Sequence, residues 1–392
     1  MKRNVIRWAP AVLAPVLIAA TAIGVSVSAN ADVVLPDKSA SQLLQFINTN
    51  PNITFSGKVT KVANLGLPNI NLIPAISQST VDQITKNMPK GMSDFIPKAT
   101  VQGGLATAIG FLSGTQQANV YVDGLNRARV QVLDPMSERD FIRNGSDIWY
   151  YDASKQSASH HALTPSELAP DKGGWTGGTT SLPFDINSPA SIANYLISQA
   201  SPTTTFSVGR DARVAGEAAY TLTMTPETAD SLIGHITISI DGTNGLPLAV
   251  AVTAVGTTQP AFSVSFDSIT FAKPAASIFA FTPPAGTTVT QVATPAMGQE
   301  PSATESQPSA ADKAQISTLQ KEGWSAVVEI PAAQAASVLG SLTTNTLYQD
   351  LTKAVAGGRI FSTALLNVLI TNDGRVFAGA VTPQKLLETA TK

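Results

Sequence analysis

From Ala118 to His161 the chain alternates apolar and polar residues in short bursts. Ala118, Val120 and Val122 fall on one side of an extended segment while Asn119, Tyr121 and Asp123 fall on the other, the period of a half-buried antiparallel strand. After a turn at 124–126, Ala128, Val130 and Val132 repeat the apolar face, and Arg127, Arg129 and Gln131 point the other way. Asp134-Pro135 and Asn144-Gly145-Ser146 mark the next turns, because proline fixes φ and Asn-Gly tolerates positive φ. Segments 148–151 and 157–161 complete a meander.

A second, longer run of alternation predicts strands over 205–211, 218–225, 235–241, 247–255 and 261–271, with turns at 214–216, 242–245 and 256–260. Tyr220, Leu222 and Met224 share one face, and Ile236, Ile238 and Ile240 share the next. Phe262, Val264 and Phe266 continue the series, after which Ile269 and Phe271 shift phase by one, which predicts a bulge. An earlier strand over 53–59 carries Gly57, marking a bulge or a close backbone approach. About ten antiparallel strands with few helices imply one large curved sheet or barrel. So little helix over so much aliphatic sheet leaves two outcomes: the sheet fills its own interior, or it keeps an apolar concavity for a ligand.

Helical spacing is confined to short stretches. Leu43, Leu44 and Ile47 predict a helix over 39–47 that stops before Asn50-Pro51. Ser188-Pro189 begins another with Ile192, Leu196, Ile197 and Ala200 as its stripe, ending before Pro202. Between strands, 63–114 is a poorly periodic insertion rich in Leu, Ile, Met, Pro and Gly, with possible short helices at 80–87 and 103–112. It reads either as a flap closing one end of the core or as a lid over an apolar cavity. The loop 164–187 holds Trp175, either a cavity cap or head-group contact, or an ordinary surface anchor.

The chain of 392 residues is 43% hydrophobic and 13% charged, enough to bury a large core. Lys2, Arg3 and Arg7 precede an uncharged run over 8–31 that ends in Ala29-Asn30-Ala31, a small-x-small cleavage pattern. Residues 1–31 are thus expected to be a cleaved export signal, although the run is also long enough to serve as an uncleaved membrane anchor. Past residue 31 the balance is 22 basic to 27 acidic residues, and the absence of a basic, aromatic-studded stripe argues against nucleic acid. No cysteine occurs, so disulfides and an amino-terminal lipidated cysteine are excluded.

No catalytic or metal-binding pattern emerges, and no cofactor is expected. His160 and His161 are adjacent and point to opposite faces of a strand, and His235 is the third histidine. Glu138 and Asp140 share one face, Arg139 and Arg143 the other, which suits cross-strand ion pairing on an exposed surface more than a partner or head-group contact. Trp149, Tyr150 and Tyr151 put rings on both faces.

Four phrases, 129–164 (RVQVLDPMSERDFIRNGSDIWYYDASKQSASHHALT), 208–226 (VGRDARVAGEAAYTLTMTP), 240–252 and 266–289, resemble the LolA-like lipoprotein-carrier family, in its branch of exported proteins from high-GC Gram-positive bacteria. The resemblance covers roughly 39–289 and carries no catalytic signature. It implies an α+β fold: a half-open antiparallel β-barrel whose apolar cavity is capped by short helices and holds acyl chains. The residues expected to line such a cavity are Phe55, Val59, Val120, Val122, Val130, Val132, Trp149, Leu222, Ile236, Ile238, Phe262 and Val264. The implied function is non-enzymatic carriage of a lipid, glycolipid or acylated lipoprotein in the cell envelope. The alternative is a regulatory module that binds a membrane-anchored anti-sigma factor or another envelope protein, through the carboxy-terminal extension or an exposed sheet edge. The insertion, the extension and the missing lipobox cysteine depart from the carriers.

The domain expected over 32–289 is followed by a Pro/Ser/Thr/Ala-rich linker over 290–312 and an extension over 313–392. The extension is expected to form a small α+β unit that either folds separately or docks onto the barrel. Its elements read as helices over 314–322, 331–339, 347–355 and 384–390, a strand over 324–330, and extended segments 359–371 and 375–381 around the turn Asn372-Asp373-Gly374.

Overall fold

The computed structural model describes residues 34–47, 49–50, 52–66, 114–134, 137–163, 189–199, 203–291, 322–333, 335–336 and 346–391. The leader, nearly all of the insertion, the loop with Trp175, most of the linker and most of the helix expected over 314–322 lie outside these residues.

Thirteen strands form one sheet. In chain order they are β1 (Thr54–Ala63), β2 (Gly114–Asp123), β3 (Arg127–Asp134), β4 (Ser137–Asn144), β5 (Asp147–Asp152), β6 (Ser157–Ala162), β7 (Thr204–Val208), β8 (Ala212–Val214), β9 (Glu217–Pro226), β10 (Ile233–Asp241), β11 (Pro247–Ala254), β12 (Pro260–Thr270) and β13 (Thr288–Gln291). Their order is β13-β6-β5-β4-β3-β2-β1-β12-β11-β10-β9-β7, with β8 pairing β9. The two ends do not meet, so the sheet is an open half-barrel rather than a closed one. Every pairing is antiparallel except β13 beside β6, and β13 runs two residues into the segment expected to be linker. The 205–211 strand is divided in two: β7 and β8 both lie on β9, linked where the Gly209 N–H donates to the Thr221 carbonyl.

The two halves of the sheet meet through a single seam, β1 against β12. Here both readings of Gly57 hold. The register slips between Lys58 and Val59 opposite Phe266 and Ser268, leaving Asp267 as the extra residue of a bulge. A Cβ on Gly57 would lie 2.5 Å from the Ser268 carbonyl oxygen and 2.8 Å from the Phe266 ring. Phe55 meets that ring edge-on at 5.7 Å.

Two helices cover one face of the sheet, called the inner face below. The first, α1 (Ala40–Phe46), begins with Ser39 as N-cap: its hydroxyl accepts from the Gln42 N–H, and the Gln42 side chain accepts from the Ser39 N–H, a capping box. Phe46 packs edge-on against Tyr220. The second, α2 (Pro189–Gln199), lies over β11 and β12. Leu43, Ile192 and Ala193 join one core cluster with Leu222, Ile236, Ile238, Val250 and Val264.

The outer face is covered differently. After β12 the chain crosses back over β3–β5 with a single 3-10 turn at Ala276–Phe279. Phe279 is buried, and Phe281 packs against Trp149 and Tyr151. The Arg129 guanidinium makes two hydrogen bonds to Asp140, at 3.0 and 2.8 Å, and a third to the Ile278 carbonyl. Ion pairing across strands was expected here on an exposed surface. The pairing is present, but Asp140 is only 1% exposed, because the returning chain lies over this face. The Asp140 hydrogen bonds hold the Arg129 pKa above its ordinary value.

The carboxy-terminal unit is a five-stranded antiparallel sheet. Its strands β14 (Val328–Ile330), β15 (Thr352–Val355), β16 (Gly358–Ser362), β17 (Asn367–Thr371) and β18 (Val376–Gly379) take the order β14-β18-β17-β16-β15. Helix α3 (Thr346–Leu351) precedes β15, and α4 (Pro383–Ala390), capped by Thr382, packs Leu386 on Phe377 and Leu369. Three expectations change. The helix predicted over 347–355 stops at Leu351, because Thr352–Val355 pairs with β16 instead. The strand predicted over 324–330 shortens to β14, since Gly323–Ser325 is a 3-10 turn whose Trp324 indole donates to the Thr204 hydroxyl at 2.7 Å. The extended run 359–371 breaks at Thr363, whose hydroxyl accepts from the Leu366 N–H and folds the chain back on itself. Of the helix expected over 331–339, the helical residues among those described are 332–333 and 335–336.

This unit docks onto the large sheet. Ser231 bridges Val381, the Leu232 N–H donates to the Ala380 carbonyl and the Thr382 N–H to the Asp230 carbonyl. Lys385 pairs with Asp230 at 3.4 Å, and Ala364 and Leu365 pack on Leu65, Ala254 and Ala261.

Candidate functional site

Strand alternation carries a residue's face from strand to strand through the register. Leu222 faces Ile238, Ile238 faces Val250, Val250 faces Val264, Val264 faces Lys61, and Lys61 faces Gln116. The neighbouring rows run Phe266, Val59, Ala118, Val132, Arg139, Asp152 and, one step further along, Val120, Val130, Phe141, Tyr150. Eleven of the twelve expected lining residues therefore share the inner face. Nine are buried: Phe55, Val59, Val120, Val130, Val132, Leu222, Ile236, Ile238 and Val264. Val122 and Phe262 are half-buried. Trp149 does not join them. It faces Ile142 and His160 across the strands and stands on the outer face, stacked on His160 at 4.1 Å and touching Phe281. His160 is held there by Asp147 at 2.8 Å and Gln291 at 3.0 Å, while His161 points to the other face beside Ile148. Among the described residues no cluster of three metal-ligating side chains occurs.

At one corner the apolar face gives way to charge. Lys61 is 1% exposed; burial, then the charge of Arg139, lowers its pKa from 10.5 to about 8. Arg139 grips Asp134 through two hydrogen bonds at 2.8 and 3.1 Å. Burial opposes its charge, but the Asp134 hydrogen bonds and charge outweigh that and raise its pKa. Asp152 accepts from the Ser154 hydroxyl at 2.6 Å and pairs with Lys155 at 3.4 Å. Burial, then Asp152, pushes the Tyr150 phenol up to about 12. Gln116 Oε1 and Ser137 Oγ are covered and have no hydrogen-bond partner.

This corner is absent from the expected site. A strand ending at 59 excludes Lys61, yet β1 continues through Val62 and Ala63. The signal was present in Arg139, which alternates with Phe141 and so shares its face.

A stability profile tests the burial of Lys61. The folded lysine sheds its proton near pH 8 and the unfolded one near 10.5, so between those values the unfolded state binds more protons and stability rises with pH. Below pH 8 the penalty is fully present. Above about pH 10 the unfolded tyrosine ionises before folded Tyr150, and stability falls again. Lys61→Met should therefore gain up to about 3 kcal/mol at neutral pH and flatten the rise between pH 8 and 10 in urea titrations. An unchanged slope in that variant would place its cause elsewhere.

A half-barrel with helices on its inner face and a second sheet docked at one side fixes a fold, and a fold by itself does not fix a function. No protein-family model matches the chain, and no curated protein does. Solved structures similar to it include MucB, with TM-score 0.32 and 15% identity over 62% of each chain, so this chain spans under two thirds of that protein's length. The Pseudomonas aeruginosa MucA/MucB complex is matched at TM-score 0.39 and 12% identity, covering 90% of this chain and 96% of that one. A LolA superfamily protein from Nitrosomonas europaea is matched at TM-score 0.23 and 10% identity, covering 62% of this chain and 99% of that one. At these identities the likeness is one of fold.

Proposed function

We propose that the chain is a non-catalytic, extracytoplasmic binding protein whose inner face takes up the acyl chain of a lipid, glycolipid or lipoprotein. The observation that carries this reading is the apolar surface that runs from β9 to β3 through Leu222, Ile238, Val250, Val264, Phe266, Val59, Ala118 and Val132, interrupted at one corner by Lys61 and Gln116, over which two short helices are the described cover. In the state described, Ile192 and Ala193 of α2 and Leu43 of α1 fill that surface. An acyl chain would replace α2. A tail of about 14 methylenes contributes about 11 kcal/mol on burial, whereas Ile192, Leu196 and Ile197 together contribute at most about 9. Exchange of helix for tail is thus close to balanced, which a carrier that must load and unload requires.

The test is to purify the protein from its native membrane and analyse organic extracts by mass spectrometry. Stoichiometric co-purifying acyl lipid is the expected result. A lipid-free protein that captures one membrane protein would sink the proposal and favour the second reading, a regulatory module. What supports that second reading is the edge of the docked sheet where, among the described residues, β15 pairs with β16 alone and exposes Lys353 and Ala354.

A further inference from the structure

We propose that the carboxy-terminal unit holds a second binding site, separate from the inner face of the large sheet: the cavity beside Arg359 takes a small monocarboxylate whose charged end meets the guanidinium and whose body is compact and apolar.

The cavity is the first support. It has a volume of about 540 Å³, and Ala332, Ala336, Tyr348, Arg359, Ile370 and Asn372 are among its walls, a size typical of small-molecule sites. Register fixes its place. Arg359 lies opposite Ile370, and Ile370 opposite Val376, so the arginine shares the face on which Ile330, Ala335 and Val376 cluster. Helix α4 packs on the other face, with Leu386 against Phe377 and Leu369.

Arg359 is the second. Every contact that its guanidinium makes among the described residues is with a neutral group. Nε donates to the Thr352 hydroxyl at 2.7 Å, Nη2 to the Thr352 and Gln349 carbonyls at 2.8 and 3.1 Å, and the Tyr348 ring lies 5.6 Å away. These bonds hold the planar group in place and leave its charge unmatched. Nη1 keeps its N–H donors for a ligand. The one acidic residue described in the walls, Asp373, is engaged on the opposite face: it pairs with Arg375 Nε at 2.8 Å and accepts from the Thr371 hydroxyl, and alternation puts Thr371 and Arg375 on the side of Leu369 and Phe377.

This charge balance sets the class of ligand. One unmatched cation suits a monoanion, whereas a phosphate dianion calls for a second cation or a cluster of backbone N–H groups. Asn372 uses its backbone N–H on the Gly357 carbonyl, and its side-chain amide can donate to the second carboxylate oxygen. Ala332, Ala336 and Ile370 supply the apolar wall.

The experiment titrates the full-length protein with naphthoate and with its neutral counterpart naphthamide, followed by ligand fluorescence anisotropy and calorimetry. One charge-assisted contact predicts saturable binding of naphthoate at a single site, with at least about tenfold preference over the amide. Arg359→Gln should bring that preference within about twofold. The same arginine holds the end of α3, so a second variant leaves it in place: Ala336→Phe fills the cavity and should weaken naphthoate at least about tenfold with the circular dichroism spectrum unchanged. Should Arg359→Gln unfold the unit, Ala336→Phe decides. Equal affinity for the two probes, a preference that survives Arg359→Gln in a folded protein, or binding untouched by Ala336→Phe would overturn the assignment, the last by placing the probe elsewhere, the inner face included. Absence of saturable naphthoate binding would overturn it outright. Acyl-chain uptake stands or falls apart from all of these results.

Discussion

Gly57→Ala is expected to cost about 3 kcal/mol or more, although it adds one methyl group. The added Cβ falls 2.5 Å from the Ser268 carbonyl oxygen and 2.8 Å from the Phe266 ring. The carbonyl belongs to the backbone of the neighbouring strand, so β1 and β12 must separate. That seam alone joins the two halves of the large sheet. Overpacking by a methylene ordinarily costs about 1–3 kcal/mol, and here the backbone itself has to move. Urea unfolding measures the loss. Phe266→Leu should fail to rescue Gly57→Ala, since the carbonyl contact persists. A Gly57→Ala protein within about 0.5 kcal/mol of the parent would show that the seam is not tightly closed.

Asp140→Ala should cost about 2–3 kcal/mol, because it leaves the half-buried Arg129 guanidinium without its counter-charge and without two charge-assisted hydrogen bonds. Asp140 is 1% and Arg129 21% exposed, and the same guanidinium holds the Ile278 carbonyl. Its release should loosen the segment that covers Trp149 and Tyr151. The double replacement Arg129→Met with Asp140→Leu should recover most of the loss, because apolar groups of similar volume need no counter-charge. Chemical denaturation of the four proteins forms a double-mutant cycle. Additive losses would show that the pair is uncoupled.

Much of the large sheet was legible because period-2 alternation is a local signal. The strands over 118–161 and 218–271 follow it, and the phase slip after Phe266 located a bulge that the register places at Asp267. Ser39 with Gln42, and Thr382 with Pro383, likewise mark helix starts through capping that is written in neighbouring residues. What failed is decided at a distance. The 347–355 segment has helical spacing throughout, but Thr352–Val355 finds a strand partner and leaves the helix. Trp149 looked equivalent to Val130 because both sit in alternating strands, and only the pairing through Phe141 and Tyr150 shows that the two stand on opposite faces. The charge pattern 138–143 gave the pairing but not its burial, which depends on a segment more than a hundred residues later in the chain. Lys61 lies just beyond the strand expected over 53–59, whereas β1 runs on to Ala63 and gives it the register partners Val264 and Gln116.

The seam between β1 and β12 also sets the order in which the molecule can assemble. Thr60 donates a hydrogen bond to Asp267 across 207 residues of chain, so the first strand stays half-paired until nearly the whole sheet sequence is available. Closing so wide a loop is slow relative to local hairpins. The meander β2–β6 and the run β9–β12 are built from neighbour-to-neighbour hairpins and can form early, each from its own stretch. The trough exists only once these two prefabricated halves zip along one line, making late closure the step that a folding-rate measurement on Gly57 variants would slow.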